Sequence, residues 1–127
     1  MNKIKVLIAD DNEMIRKSIK NIISKIDNIE IVADATNGEE EYNLIKQYEP
    51  DFLFSDVDMP KMTGIDVLEK LRNEKFIKIP ETVFVTGESL DIFRNTSILE
   101  NIYDIVNKPF NENRISMIME SYAVNIH

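Results

Sequence analysis

Five short apolar runs, each followed by a segment of helical periodicity, restrict this 127-residue chain to few architectures. The runs are Ile4 to Ala9, Glu30 to Ala35, Asp51 to Ser55, Thr82 to Thr86 and Tyr103 to Val106. Ile4 to Ala9 is continuously apolar instead of alternating, the pattern of a strand covered on both faces. After it, Met14, Ile15, Ile19, Ile22, Ile23 and Ile26 recur at helical spacing, with Lys and Arg on the opposite side. Asn37 followed three residues later by Glu40 marks a second helix start, and Pro50 stops that helix after about Tyr48. Thr63 is placed to cap a third helix with Ile65, Val67, Leu68 and Leu71 as its apolar face. A fourth is expected within Ser89 to Glu100, where Ile92, Phe93, Thr96 and Leu99 give a partial face, and Asn111 is placed to cap a fifth around Ile115, Ile118 and Met119.

Alternating strands and helices predict a parallel sheet with helices on both faces, joined by right-handed crossovers. The expected fold is α/β and flavodoxin-like: a doubly wound three-layer sandwich, strand order 2-1-3-4-5, five helices, one domain over residues 1–127. That order sets the carboxyl ends of the first and third strands side by side, and ligands of such sheets bind there. Asp10, Asp11 and Asp56 are then expected to share one pocket.

Composition removes several function classes. The net charge of −8 argues against direct nucleic-acid binding, since an acidic surface repels phosphate backbones. No cysteine is present, so neither disulfides nor thiolate chemistry enters. No apolar run approaches the roughly 18 residues of a membrane span, and Met1-Asn2-Lys3-Ile4-Lys5 leads into a strand with no signal-peptide core. A cytoplasmic protein without membrane contact is expected.

Four separated motifs carry chemistry: Asp10-Asp11 after the first strand, Asp56-Val57-Asp58-Met59-Pro60 with Gly64 after the third, Thr86 closing the fourth, and Lys108-Pro109-Phe110 after the fifth. Taken singly, each has a plain reading. Asp-Asp caps helices, Met-Pro makes turns, Lys-Pro-Phe leaves a strand, and a Thr at a strand end is structural. Taken together, in this order, they resemble the receiver domain of two-component response regulators, over Lys3 to about Tyr122. The resemblance implies that Asp56 accepts a phosphoryl group from a sensor histidine kinase, a role that requires an ionised, accessible carboxylate. It implies Mg²⁺ held by the carboxylates of Asp10, Asp11 and Asp56 and by the backbone carbonyl of Asp58, with Asp10 acting directly or through water. Lys108 would pair with Asp56 and then with a phosphoryl oxygen, and the Thr86 hydroxyl with another. The Lys-Pro peptide is cis in the family. Slow self-dephosphorylation, a partner or output domain regulating transcription, and a phosphorylation-dependent homodimer through helix 4, strand 5 and helix 5 also follow from the resemblance.

The sequence departs from the family in the switch region. An aromatic residue is usual three positions before the lysine, and Ile105 stands there. Tyr103 lies two residues earlier; positions two apart on a strand share a face, so either Tyr103 substitutes in part or the coupling of Thr86 to an aromatic is weak here. Gly87 follows Thr86, keeping space and adding backbone freedom. Ile98 to Asp104, together with Asp58, is faintly similar to receivers joined to LytTR-type DNA-binding domains. His127, the sole histidine, is expected to be a frayed terminus and not a phosphoryl donor. Two other readings fit parts of the pattern. Asp56-Val57-Asp58 also resembles the first motif of haloacid-dehalogenase phosphatases, but there the acidic pair comes later in the chain and Thr is expected after the second Asp. A phosphorylation-independent interaction module on the same fold would normally have lost acidic-pocket residues, and none is missing.

Overall fold

The computed structural model describes residues 3–125; the reading of His127 lies outside them. Strands β1 (Ile4–Ala9), β2 (Ile29–Ala35), β3 (Phe52–Ser55), β4 (Glu81–Thr86) and β5 (Ile102–Asn107) form one parallel sheet in the order β2-β1-β3-β4-β5. Helices α1 (Glu13–Ile23), α2 (Gly38–Tyr48), α3 (Gly64–Arg72) and α4 (Glu112–Asn125) cover its two faces. The continuous apolar runs explain this layering. In β1, Ile4, Val6 and Ile8 pack with Phe52, Phe54, Val83 and Val85 against Ile19, Ile22 and Ile23 of α1 and Ile115, Ile118 and Met119 of α4. The alternate residues Leu7, Leu53 and Phe84 face Ile45 of α2 and Val67, Leu68 and Leu71 of α3. Side-chain alternation along each strand thus feeds two cores from one sheet.

The helix starts follow local capping chemistry. The Asn12 side chain accepts from the N–H groups of Met14 and Ile15. Asn37 accepts from the Glu40 N–H at 2.9 Å, but the Glu40 carboxylate reaches back one residue further than a capping box requires, to the N–H and hydroxyl of Thr36. Thr63 and Asp66 form a complete box, each side chain bonded to the other's backbone N–H. Because Thr63 also ends the loop that follows Asp56, Thr63→Ala is expected to cost about 1 kcal/mol, read as a lowered urea midpoint with unchanged slope.

Two expectations are corrected. Ser89 to Glu100 does not form a fourth α-helix. It makes two 3₁₀ turns, Leu90–Phe93 and Leu99–Asn101, so the described residues contain four α-helices and not five. The cause is the central Asn95-Thr96-Ser97, residues whose side chains compete for nearby backbone groups. The Thr96 hydroxyl donates to Glu69 at 3.2 Å and accepts from the Ile98 N–H at 3.4 Å. Two buried anchors, Phe93 and Ile98, then cover the sheet where a helix would have presented a stripe.

The second correction concerns β5. Thr82 pairs with Ile102, but Val83 pairs with Asp104, so Tyr103 is an extra residue in a bulge. The bulge reverses the alternation. Tyr103 packs on the α4 side, edge-on to Phe52 and Tyr122 at 5.4 and 5.7 Å, with its hydroxyl 3.2 Å from Ser121. Ile105 packs on the opposite side with the α2 and α3 core. Tyr103 and Ile105 therefore do not share a face.

Candidate functional site: an acidic cleft at the strand ends

The ladder hydrogen bonds continue one residue past the strands and fix the reactive positions. Asp10 N–H donates to Ala35 O at 3.1 Å, Asp56 N–H to Ala9 O at 2.9 Å, and Lys108 N–H to Thr86 O at 2.9 Å. Asp10, Asp56, Thr86 and Lys108 are thus placed by backbone pairing before any side chain interacts. Asp56, Thr86 and Lys108 line an open cleft of ≈ 380 Å³ with Asp11, Asn12, Asp58, Gly87 and Glu88, and the buried Asp10 reaches it through Lys108.

Asp10 is 1% exposed and Asp56 5%, while Asp11 and Asp58 are exposed. One carboxylate oxygen from each of Asp10, Asp11 and Asp56 lies within 4.8 Å of the other two. Lys108 bridges the buried pair. Its Nζ lies 2.8 Å from Asp10 Oδ2 and 3.3 Å from Asp56 Oδ2, so its shorter contact is to Asp10 and not to the Asp56 partner that the sequence suggested. Asp10 Oδ1 accepts from the Asn12 N–H at 2.9 Å, and Asp56 Oδ1 from the Asp58 N–H at 3.3 Å. Burial raises the Asp56 pKa above its usual value, and the Asp10 charge adds to this; Lys108 and the Asp58 N–H oppose it without cancelling it. Burial works against the Lys108 charge, but Asp10 and Asp56 outweigh it and hold the ammonium above its ordinary range. The Thr86 hydroxyl oxygen accepts from the Glu88 N–H at 3.0 Å, an interaction that uses a lone pair and leaves its proton to be donated. The Lys108-Pro109 peptide is cis.

The structure brings together Asp10, Asp11, Asp56, Asp58, Thr86 and Lys108, and leaves Tyr103 and Ile105 outside the cleft. Sequence reasoning did not single out Glu88, Arg16 or Glu41. Glu88 lines the cleft at the bend that follows β4, and no motif marks it. Arg16 donates from Nη1 to the Asp10 carbonyl at 2.7 Å and from Nε to Asp34 at 3.2 Å, tying α1 to the ends of β1 and β2. Its spacing on α1, one turn beyond the Asn12 cap, was the available signal.

Comparison with known proteins agrees with this geometry. The response regulator receiver domain family matches residues 6–120. A protein-glutamate methylesterase/protein-glutamine glutaminase of Enterobacter cloacae is 38% identical over 109 residues, 86% of this chain and 31% of that protein. The "Probable C4-dicarboxylate response regulator DctR" of Bacillus subtilis is 34% identical over 119 residues, 93% of this chain and 51% of that protein. The REC domain of AraT, a response regulator from Geobacillus stearothermophilus, superposes with a TM-score of 0.74 at 29% identity, covering 97% of this chain and 98% of that one. The chain spans between 20% and 51% of the length of such curated relatives. No helix among the described residues is long and apolar enough to cross a membrane. With the family matched over nearly its whole length, and the strand order and acidic strand ends in agreement, the chain belongs to the response regulator receiver domains.

Proposed function

We propose that this receiver domain takes a phosphoryl group onto Asp56 from a sensor histidine kinase or a small phospho-donor, with Mg²⁺, and thereby switches a partner-binding surface. The observation that supports this best is the convergence on Asp56: Lys108 at 3.3 Å, the Asp58 N–H at 3.3 Å, and two further carboxylates within 4.8 Å. Three clustered carboxylates are hard oxygen donors of the kind Mg²⁺ prefers. Asp10, Asp11 and Asp56 would hold the ion, together with the Asp58 backbone carbonyl. When bound, it would neutralise the clustered charge and stabilise the charge spread over the transferring phosphoryl oxygens.

In the transfer, an Asp56 carboxylate oxygen forms a bond to phosphorus as the phosphorus–nitrogen bond to the donor imidazole breaks, and the electron pair leaves with the imidazole. Lys108 moves from its carboxylates to a phosphoryl oxygen and the Thr86 hydroxyl donates to another, both within the cleft these residues already line. Burial keeps bulk water from solvating Asp56, so its charge is exposed to the incoming group. The domain acts as a phospho-accepting switch that slowly hydrolyses its own adduct, not as an enzyme on a separate substrate. The surface it switches is the β4–β5 connection, β5 and α4, by shifting the population of two conformations. Its readers would be an output domain or a downstream protein, with transcriptional control as one route and a homodimer through this face as another. A cytoplasmic location suits a kinase partner, and the net charge of −8 leaves nucleic-acid contact to other parts of a regulator.

The test is intact mass after incubation with acetyl phosphate. A hydroxylamine-labile phosphoryl adduct is expected with Mg²⁺ and is expected to disappear when EDTA replaces it. Absence of the adduct, both with acetyl phosphate and with a cognate kinase, would leave a receiver fold used as a phosphorylation-independent interaction module.

A further inference from the structure

Asp10 has a partner at every polar atom. Its N–H donates to Ala35 O at 3.1 Å, its Oδ1 accepts from the Asn12 N–H at 2.9 Å and its Oδ2 from Lys108 Nζ at 2.8 Å. The fourth atom, the carbonyl oxygen, lies past the end of the ladder. β2 closes at Ala35, and the Thr36 N–H turns to the Glu40 carboxylate at 2.7 Å. The donor that meets the Asp10 carbonyl is a side chain, Arg16 Nη1, at 2.7 Å.

That carbonyl belongs to the peptide joining Asp10 to Asp11. A peptide unit is planar, so a bond that fixes its oxygen also restrains the Cα atoms on both sides. Those two residues supply two of the three clustered carboxylates. Asp10 is buried, but Asp11 is exposed, so the peptide before it, and not packing, sets where its carboxylate starts.

Arg16 is itself aimed. It stands in the first turn of α1, its N–H donating to Asn12 O at 3.2 Å, and its side chain is 14% exposed. Nε donates to Asp34 Oδ2 at 3.2 Å, and Lys20 Nζ lies 2.7 Å from the same oxygen. Asp34 pairs with Ile8 across β1 and β2, two residues before Asp10. The planar guanidinium thus uses two donors at a fixed angle, one on Asp34 and one on the Asp10 carbonyl. A lysine ammonium, a point donor, cannot reproduce that fork.

We propose that Arg16 is a positioning residue for the cation site: by holding the Asp10–Asp11 peptide it keeps those two carboxylates at the separation that Mg²⁺ binding requires. The inference rests on the reading of Asp10, Asp11 and Asp56 as Mg²⁺ ligands. By charge alone Arg16 works against a dication beside it, since like charges repel. Its removal would then tighten Mg²⁺ binding. If Arg16 only braced α1 against the sheet, its removal would lower stability and leave Mg²⁺ affinity where it was. Positioning alone gives weaker binding on loss of a positive charge.

The test is a Mg²⁺ titration of the ¹⁵N-labelled chain at constant ionic strength, followed by NMR on the amides of Asp11 and Asp58, with a urea midpoint for each protein. Arg16→Met is expected to raise the Mg²⁺ Kd about tenfold, the size of effect seen when a group that orients a metal ligand is lost. Arg16→Lys keeps the charge and one donor but not the fork, and is expected to raise it about threefold. In the wild type, the Arg16 Nη protons are expected to give separate signals, because bonds to two acceptors restrict rotation about Nε–Cζ. Unchanged or tighter Mg²⁺ binding by Arg16→Met, with the wild type binding normally, would overturn the positioning role and leave the cation site intact. A freely rotating Arg16 guanidinium in a wild type that binds Mg²⁺ would do the same, and it needs no variant to fold. A wild type whose amides do not respond to Mg²⁺ would overturn both.

Discussion

Asp56→Asn is expected to abolish the phosphoryl adduct and to stabilise the metal-free fold, two effects of opposite value from one atom change. The loss of the adduct follows from chemistry: the amide keeps the shape of the carboxyl but offers no anionic oxygen to form the bond to phosphorus. The gain in stability follows from electrostatics. Burial and the Asp10 charge raise the Asp56 pKa in the folded state. An acid whose folded pKa lies above its unfolded value loses stability as pH rises through that interval, so at neutral pH the ionised carboxylate costs the fold energy. Asparagine removes that cost. It also removes the 3.3 Å contact with Lys108, but Lys108 keeps its 2.8 Å contact with Asp10, so the cation is not stranded. A gain of order 1 kcal/mol raises the thermal midpoint by roughly 4 °C in a domain of this size. Denaturation in EDTA beside intact mass reads both. A variant that loses the adduct and also loses stability would mean that Lys108 outweighs burial and Asp10. Added Mg²⁺ is expected to stabilise the wild type more than the variant, because ligand binding to the native state adds stability through mass action.

That one residue carries both effects follows from how the site is built, and it explains what was legible in the sequence. Asp10, Asp56, Thr86 and Lys108 sit directly at strand ends, where ladder hydrogen bonds fix them. Their positions therefore follow once the strands and their order are known, and the apolar runs mark the strands. The order of these motifs along the chain also separates the receiver family from dehalogenase-like phosphatases, in agreement with the match over residues 6–120. The misread features depend on interactions that are not periodic. Thr96 bonds Glu69, 27 residues away, and that choice helps decide against a helix after β4. The bulge at Tyr103 adds one residue to β5, and one residue is enough to turn a side chain to the opposite face. Tyr103 then joins Phe52 and Tyr122, and the idea that it stands in for an aromatic at Ile105 fails on geometry in this state. Glu41 was invisible for a different reason. In sequence it is the last of three consecutive glutamates at a helix start, where acids are favoured by the helix dipole and are ordinarily solvated. Only the helix phase shows that Glu39 and Glu40 face water and Glu41 does not.

The buried glutamate makes the second large prediction, in the pH dependence of stability. Its unfolded pKa is near 4.5 and its folded pKa is pushed up to about 8 by burial, with Asp56 adding and Ser55 opposing. Between these values the native state holds a proton that the unfolded chain has released, so the contribution of Glu41 to stability is present in full below pH 4.5 and is lost as pH rises through about 8. At about 1.36 kcal/mol per pKa unit the interval bounds the loss at roughly 5 kcal/mol, and relaxation of the site brings it to a few. A few kcal/mol is a large share of the 5–15 kcal/mol that typically holds a domain together. Urea unfolding at pH 5.5 and pH 8.5 is expected to show the wild type losing stability across this window, while Glu41→Gln and Glu41→Met lose much less. Asp34 and Asp51, whose pKa values are held below normal despite partial burial by their lysine partners and further hydrogen bonds, are fully ionised throughout the window and cancel from the comparison. Glu41→Met is also expected to be the most stable of the three at pH 8.5, because it buries no polar group and leaves no cavity of note. Equal slopes in all three proteins would mean that Glu41 meets water or a cation in solution and does not keep its proton inside the fold.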